Sequence, residues 1–319
     1  MKTEIGKRDL IQRGAELIKQ GEVVAFPTET VYGLGADAFN PNAVAKIFEA
    51  KGRPQDNPLI VHIADVSSLE SIARDIPPSA YFLLERFSPG PLTLVLKKNP
   101  NLPFCVSAGL DTVGVRIPCH EIALDLIKQS ATAICAPSAN TSSRISPTTA
   151  EHVLDDMQGK IPLIIDGGSC DIGLESTVLD LTSPYPTILR QGAITEEMLC
   201  ECLGEIKTHK GEIKKAKSPG MKYRHYAPLV KTLLASNVKQ ALDIKNSTNG
   251  KAVIIGSENF ITQCGGGICL GTTPQEIAKN IYKTLREAEK VYDIIIIEKF
   301  ENNQYNKAIL DRIKKAVSN

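Results

Sequence analysis

The order in which strand-like and helix-like segments follow one another constrains this chain more than any other feature of its sequence. Short apolar runs, such as residues 23–26, 59–64 and 113–117, alternate with stretches whose apolar residues recur at the period of a helix. This alternation is typical of α/β proteins, in which strands and helices pack in layers. We therefore predict an α/β fold, and a length of 319 residues favours two domains.

Capping residues predict where two of the helices begin. Asn40 and Pro41 place a preferred cap before a first-turn proline, and that helix should end near Gly52. Further along, Thr148 and Glu151 have the spacing of a capping box. The two signals predict helices that start at residues 41 and 149.

The character of the sequence changes after about residue 203. Residues 207–226 are basic, carry proline and glycine, and lack sustained periodicity, as a linker does. Beyond them, strand-like residues 252–255 and 293–297 flank a helical pattern at 274–290, which predicts a small parallel-sheet unit. The predicted division is a main domain at 1–206, a linker or lid at 207–228 and a second domain at 229–319.

Composition argues against several classes of protein. The formal net charge is +1, so the molecule as a whole has no field that would hold nucleic acid. No apolar run approaches the ~20 residues of a membrane span, and the polar N-terminus lacks a signal-peptide core, so we expect a cytoplasmic protein without membrane contact. The eight cysteines lack the spacing of a zinc site; we expect reduced thiols and no metal site.

The common nucleotide-binding motifs are absent from the sequence. It contains neither a G-x-x-x-x-G-K-[ST] loop nor a G-x-G-x-x-G motif after a strand, and Gly265, Gly266 and Gly267 are best interpreted as a turn. An ATP site in this protein would therefore be built without a Walker loop.

Polar clusters instead follow several predicted strands, where ligands bind in α/β proteins. The first contains Thr30 and Tyr32, although a glycine-rich turn with its usual hydroxyls explains it equally well. Lys51 and Arg53 follow a helix end, where cations interact favourably with the helix dipole. The same two side chains would also make a compact anion cradle.

Later segments contribute further polar residues. His62 lies on the face of its strand opposite its apolar neighbours, where a structural role is the commoner one. Ser138 and Asn140 follow another strand in what could be an ordinary turn. Arg116 lies within an apolar strand and needs a partner. A polyanion such as a nucleoside triphosphate would suit the combined cations, which are Lys51, Arg53, Arg116 and Arg190.

Six segments carry a resemblance to a known family. In order, they are FPTETVYGLG, KGRPQDNPLIVHI, GLDTVGVRIP, APSAN, ESTVLDL and ILRQGAI, and they cover about the first two hundred residues. Lys51-x-Arg53 with Ser138-x-Asn140 matches the quartet that marks the family. On these residues the chain resembles the YrdC-like threonylcarbamoyl-AMP synthases. Residues 218–228, SPGMKYRHYAP, resemble the linker of the long form, which has an extra C-terminal domain.

The resemblance implies a fold and a reaction. The fold would be a YrdC-like twisted mixed sheet with a basic concave cavity, plus a small Rossmann-like C-terminal domain. The enzyme would be a nucleotidyltransferase that makes L-threonylcarbamoyladenylate from L-threonine, bicarbonate and ATP, releasing pyrophosphate. Its product would serve a tRNA threonylcarbamoyl transferase machinery that acts on adenosine 37. Mg²⁺ would be carried mainly by the ATP phosphates.

The resemblance also implies a role for individual residues. Lys51 and Arg53 would be catalytic, and replacing Lys51 with alanine is expected to reduce turnover far more than stability. The residues around threonine would be Thr30, Tyr32, Lys51, Arg53, His62 and Arg116. The nucleotide contacts would be Ser138, Asn140, Ser176 and Arg190. The lid would be formed by Tyr223, His225 and Tyr226.

Two alternatives stay open. A carbamoyl transferase of the hydrogenase-maturation type shares a YrdC-like domain, but such chains add zinc-finger cysteine pairs and an acylphosphatase-like region that are not found here. An RNA-binding module could use the basic cavity. A pI near 7.5 and the scarcity of aromatic residues count against that reading, and no stable nucleic-acid complex is expected.

Overall fold

The computed structural model describes residues 2–209, 226–303 and 306–317. The first of these ranges forms an N-terminal unit of helices and a large sheet. Its strands are β1 (Glu4–Gly6), β2 (Val24–Phe26), β3 (Gly33–Asp37), β4 (Ile60–His62), β5 (Ala73–Arg74), β6 (Leu92–Lys98), β7 (Thr112–Arg116), β8 (Ile134–Ala136), β9 (Leu163–Ile165), β10 (Thr177–Asp180), β11 (Thr187–Arg190) and β12 (Lys207–Thr208). Its helices are α1 (Ile11–Lys19), α2 (Pro41–Lys51), α3 (Leu69–Ile72), α4 (Pro78–Phe87), α5 (Glu121–Ser130), α6 (Ala150–Met157) and α7 (Glu196–Leu203).

The remaining described residues form a C-terminal unit with its own sheet. Its elements are β13 (Lys231–Ala235), α8 (Val238–Ser247), β14 (Ala252–Gly256), α9 (Glu258–Gln263), β15 (Ile268–Cys269), α10 (Pro274–Ala288), β16 (Ile294–Glu298) and α11 (Lys307–Ala316). The order of the strands is β13-β16-β14-β15 and every pair is parallel. A strand–helix alternation with parallel pairing is the pattern that the sequence predicts for this unit.

The sheet of the N-terminal unit is mixed. Its strands follow the order β1-β9-β2-β3-β8-β4-β7-β6-β10-β11-β12, with β5 paired to β6. Pairs such as β4 with β7 are parallel, whereas β3 with β8 and β6 with β7 are antiparallel. The α/β prediction is confirmed. The neighbouring strands β8, β4, β7, β6, β10 and β11 carry or precede most of the polar clusters, which brings residues that are distant in sequence to one region of the sheet.

Two apolar layers cover this sheet. On one side, α1 and α5 pack together with Ile11, Ile18 and Leu126 buried against β9. On the other side, α2 contributes Val44 and Ile47 to the largest part of the core. Helices on both faces leave the ends of the strands as the accessible places for a ligand.

Most helix and strand ends lie within two residues of their predicted positions. The helix predicted at 41 begins there, with the Asn40 side chain accepting from the backbone N–H groups of Asn42 and Ala43, and it ends at Gly52 in the left-handed conformation. The predicted start at 149 is wrong by one residue. Thr149, not Thr148, caps α6, because the backbone N–H of Thr148 donates to the His152 ring.

The domain limits at 206 and 229 stay a prediction; the first sheet ends with β12 at 207–208 and the second begins with β13 at Lys231. Most of the predicted linker, together with Tyr223 and His225, lies outside the described residues. Among the residues that are described, no helix is long and apolar enough to cross a membrane.

Replacing Asn40 with alanine should lower the free energy of unfolding by about 1 kcal/mol, because two N–H groups of the first turn of α2 lose their acceptor. Urea unfolding of the purified variant measures this loss. Asn42→Ala, an exposed change in the same turn, is the matched control and should leave stability unchanged or slightly higher. Equal losses in both variants would contradict the capping role.

Candidate active site

A polar cavity lies where the polar clusters converge. Nine of its lining residues are named by the sequence analysis, and these are Thr30, Arg53, His62, Arg116, Ser138, Asn140, Ser176, Arg190 and Tyr226. Four more polar residues of the lining have no predicted role, and these are Thr28, Arg144, Ser146 and Glu175. Four arginines and one carboxylate in the wall give the cavity a positive charge.

Two strands present a histidine and an arginine side by side. His62 on β4 is in register with Arg116 on β7. The predicted alternation is confirmed, because Leu59, Val61 and Ile63 enter the core while Ile60 and His62 face the cavity. His62 is 4% exposed, and its Nδ1 has no hydrogen-bond partner among the described residues.

The His62 imidazole is neutral at physiological pH. Burial, followed by the nearby Arg116 charge, lowers the pKa of His62 to about 3. A neutral imidazole with an unpartnered buried nitrogen can accept a hydrogen bond from a bound ligand.

Arg116 has the partner that its position in an apolar strand requires. Its Nη2 lies 2.7 Å from Glu29 Oε1, Nη1 donates to Thr30 Oγ1 at 2.9 Å, and Nε donates to the Gly90 carbonyl at 3.2 Å. Both charged side chains are at least nine-tenths buried. A buried pair with these additional hydrogen bonds fixes the guanidinium in one orientation at the cavity wall.

Lys51 lies behind the cavity instead of inside it. Its side chain is 1% exposed, and its ammonium donates to the Ser138 carbonyl at 2.5 Å and to the Asn140 carbonyl. Burial, followed by the Arg53 charge, lowers the pKa of Lys51 well below its usual value. The side chain holds the loop that carries Ser138 and Asn140, and the predicted contact of Lys51 with the reacting groups stays a prediction.

Arg53 and Asn140 reach the cavity from either side of this Lys51 contact. Arg53 follows Gly52, and its Nη2 donates to the Asn57 and Pro58 carbonyls at 3.4 and 3.3 Å. Ser138 Oγ donates to Asn140 Oδ1 at 2.5 Å, and the Asn140 amide donates to two backbone carbonyls of its own loop. The four residues of the quartet therefore lie together: hydrogen bonds link Lys51, Ser138 and Asn140, and Arg53 follows Lys51 by two residues.

Tyr32 does not line the cavity. The side chain is fully buried, and its hydroxyl donates to the Gly168 carbonyl at 2.8 Å and accepts from the Gly167 N–H at 3.1 Å. Burial raises the pKa of this phenol. Tyr32 thus supports the turn after β9 from the core, and its predicted contact with threonine is not favoured by this position.

Glu175 is the principal site residue that sequence reasoning missed. Its carboxylate accepts from Ser146 Oγ at 2.6 Å, from the Tyr282 hydroxyl at 3.0 Å and from Arg312 Nε at 2.8 Å. Burial alone would raise its pKa, but Arg312 and Arg190 outweigh burial and hold the pKa at about 2. Glu175 opens the segment ESTVLDL, but no pattern in the sequence links it to an arginine 137 residues away.

Arg190 and Tyr226 complete the wall next to Glu175. Arg190 donates from Nε to the Ser176 carbonyl and from Nη2 to Ser176 Oγ, both at 3.0 Å. Tyr226 is the one predicted lid residue that the structure describes, and its ring stacks on that of Tyr282 with centroids 5.5 Å apart. The C-terminal unit therefore reaches the cavity wall through Tyr226 and the residues behind Glu175.

The described residues contain no group of three or more His, Cys, Asp or Glu side chains that could hold a metal ion. The carboxylate in the cavity wall, Glu175, and Glu29, which contacts the wall residue Arg116, are each paired with an arginine. Carboxylates engaged in this way are poor ligands for Mg²⁺, so the residues present do not fit a metal site of the protein's own.

Comparisons with known proteins cover nearly the whole chain. A family described as "Telomere recombination", comprising Sua5, YciO and YrdC sequences, matches residues 16–192. A second, described as "Threonylcarbamoyl-AMP synthase, C-terminal domain", matches residues 194–318. A threonylcarbamoyl-AMP synthase of Pyrococcus abyssi is 47% identical over 96% of this chain and 93% of its own length. One from Bacillus subtilis is 44% identical over 96% and 92%.

A solved structure agrees with these sequences. The crystal structure of P. abyssi Sua5 complexed with L-threonine has a TM-score of 0.91 to this chain at 45% identity. It matches 99% of this chain and 96% of its own. Relatives with this name along the full length favour the synthase over the carbamoyl transferase and the RNA-binding module.

Lowering the pH from 7 to 5 should destabilise the protein through His62. In the unfolded chain the imidazole has its ordinary pKa near 6.5 and is protonated at pH 5, whereas in the folded protein it stays neutral. The free energy of unfolding therefore decreases by about 2 kcal/mol as the pH is lowered from 7 to 5. Urea unfolding at both pH values measures the fall. In His62→Gln it should be smaller by about that amount. His152, whose pKa burial and Arg286 lower to about 4, adds a fall in the same direction. An equal fall in wild type and His62→Gln would contradict the assignment.

Replacing Lys51 with methionine should cost stability as well as activity. Two loop carbonyls lose their donor, so the free energy of unfolding should fall by about 1–3 kcal/mol. This differs from the expectation drawn from sequence, that stability would be largely spared. Lys46→Met on the same helix, which removes a half-exposed pair with Glu22, is the control and should change stability by less than about 1 kcal/mol. Thermal and urea unfolding of both variants measure the two changes in the free energy of unfolding.

Proposed function

Because the chain belongs to the threonylcarbamoyl-AMP synthase family and catalyses the formation of threonylcarbamoyl-AMP, we propose that its substrates are L-threonine, bicarbonate and ATP, with pyrophosphate as the second product. The main observation in support of this proposal is the composition of the cavity wall, which contains arginines from distant segments together with a neutral histidine. Arginines suit the phosphates of a nucleotide and the carboxylate of an amino acid. Threonine as substrate is further supported by the relative that was crystallised with it.

The two substrates would occupy different parts of the cavity. Threonine would lie near Thr30, His62 and Arg116, with the fixed Arg116 guanidinium facing its carboxylate. Arg53 would also lie on the threonine side, and the nucleotide would lie near Ser138, Asn140, Ser176 and Arg190. Lys51 and Tyr32 would act from behind the wall by fixing the loops that the substrates touch.

The proposed chemistry has two steps. The threonine amine first condenses with bicarbonate to give N-carboxythreonine and water. One carboxylate oxygen of that carbamate then bonds to the α-phosphorus of ATP, and the bond from that phosphorus to the bridging oxygen breaks as pyrophosphate leaves. No protein nucleophile is required, so orientation and neutralisation of charge are the main contributions of the side chains. The threonine ammonium must lose a proton before it reacts; His62, with its pKa lowered to about 3, is too weak a base to hold that proton, which would pass to bicarbonate or solvent.

Mg²⁺ is proposed as an ion that accompanies ATP. It would screen the phosphates while bound to them, since the cavity carboxylates are paired with arginines. The carbamate is labile, so water must be excluded during the reaction. Tyr226 in the wall is consistent with a closing segment at residues 223–226, although residues 223–225 lie outside the described part of the chain.

The wider biological setting stays a prediction. The product would pass to a tRNA threonylcarbamoyl transferase machinery for modification of adenosine 37, and the protein would work in the cytoplasm without a stable nucleic-acid complex. The near-neutral charge outside the cavity supports the last point.

Pyrophosphate release from ATP should depend on L-threonine when Mg²⁺ and bicarbonate are present, because the carbamate of threonine is the attacking group. The measurement is a coupled pyrophosphate assay, together with a mass spectrum of the products that contains threonylcarbamoyl-adenylate. L-serine, which lacks the methyl group, is the comparison substrate and should react more slowly. Release that is equally fast without an amino acid would overturn the proposed substrates.

A further inference from the structure

The C-terminal unit holds one carboxylate of the cavity wall from behind. Tyr282 on α10 and Arg312 on α11 both donate to Glu175, and both side chains are about 1% exposed. Neither residue lines the cavity, whereas Glu175 does. The remaining contact of this carboxylate, from Ser146 Oγ at 2.6 Å, lies on the cavity side. Glu175 therefore connects a cavity residue to two residues of the other unit.

Arg312 contacts residues that adjoin Ser176 and Arg190 in the sequence, two of the residues proposed to bind the nucleotide. Its Nε reaches Glu175, which precedes Ser176, and its Nη2 donates at 3.0 Å to the carbonyl of Gln191, which follows Arg190. Its guanidinium also lies 5.4 Å from the centre of the Tyr226 ring. One buried side chain thus fixes the backbone on either side of the Ser176–Arg190 hydrogen bonds and packs against the aromatic residue of the wall.

The charge of Glu175 makes this support important for a nucleotide. The carboxylate is ionised at neutral pH and 7% exposed, so water screens it poorly. Without Arg312 it would repel the phosphates of a nucleotide and compete with them for Arg190, whose charge already acts on it. Arg312 neutralises the carboxylate from the side that the nucleotide cannot reach.

We propose that Arg312 of the C-terminal unit is a positioning residue for the reaction: by neutralising Glu175 behind the cavity wall, it leaves Arg190 available to the phosphates of ATP. This inference rests on the proposed use of ATP. It assigns the C-terminal unit a part in nucleotide affinity, through one ion pair, beyond that of covering the sheet.

The same interface contains an ion pair that serves as a control. Lys307 lies on α11 with Arg312, and its ammonium lies 2.8 Å from Glu196 on α7. Like the Arg312–Glu175 pair, it joins the two units, but neither partner lines the cavity. Removing it tests whether any loss of an ion pair between the units changes substrate affinity.

The test is a steady-state comparison of wild type, Arg312→Met, Glu175→Gln/Arg312→Met and Lys307→Met, with KM measured separately for ATP and threonine. Arg312→Met should raise KM for ATP by about tenfold or more, the scale expected for one poorly screened charge, and leave KM for threonine within about twofold. The double variant has no carboxylate left at the cavity wall, and Asp311, the other partner of Arg312, keeps its contact with Lys315, so KM for ATP should return to within about threefold of wild type. Lys307→Met should match wild type.

Several results would overturn the inference. Equal changes in the two KM values, an unchanged KM for ATP, or no recovery in the double variant would reduce Arg312 to a structural contact. Because Arg312→Met leaves a buried carboxylate without its main partner and can unfold the protein, melting temperatures are recorded and Tyr282→Phe is measured alongside. That variant removes one donor to Glu175 without removing a charge and should raise KM for ATP severalfold, while an unchanged value counts against the proposal. If wild type itself forms no product from ATP, the proposed function fails, whichever way the variants behave.

Discussion

The contact of the Lys51 ammonium with two backbone carbonyls is the interaction on which the cavity depends. It joins the C-terminal end of α2 to the loop after β8. The buried ammonium therefore fixes the positions of Ser138 and Asn140 relative to the helix end that precedes Arg53. Burial lowers the pKa of Lys51, and the two carbonyls, which accept hydrogen bonds from the ammonium, favour its protonated form. The position of that loop and the charge of the lysine are therefore coupled, and a shift in either changes the shape of the cavity.

The arginines of the cavity illustrate preorganisation by paired charges. Arg116 is held by Glu29 and Thr30, Arg53 by carbonyls of its own turn, and Arg190 by Ser176. Each guanidinium has a fixed orientation before a substrate arrives, so little conformational entropy has to be lost on binding. The carboxylates that pair with these arginines also reduce the positive charge of the cavity. The position of each carboxylate therefore affects how strongly the cavity attracts an anion.

Local patterns in the sequence predict much of this arrangement. The cap at Asn40, the strand face of His62 and the need of Arg116 for a partner follow from periodicity and desolvation, and the structure agrees with each. Patterns of this kind do not report the direction of a long side chain, so Lys51 was expected to face the substrates. They also cannot identify partners that only folding brings together. Arg312 occurs in an ordinary amphipathic helix, DRIKK, and its contact with Glu175 is invisible until two separate sheets are docked.

The two buried arginines of the C-terminal unit also affect how the molecule unfolds. Arg286 binds Asp156 at 2.7 Å and Arg312 binds Glu175 at 2.8 Å, and in each case the acid belongs to the N-terminal unit. If the units separated, Asp156 and Glu175 would lose these partners, although Arg312 would keep its contact with Asp311 on its own helix. Loss of structure in the C-terminal unit would therefore also disturb the cavity wall, which Glu175 lines, because a buried carboxylate is left without its main partner.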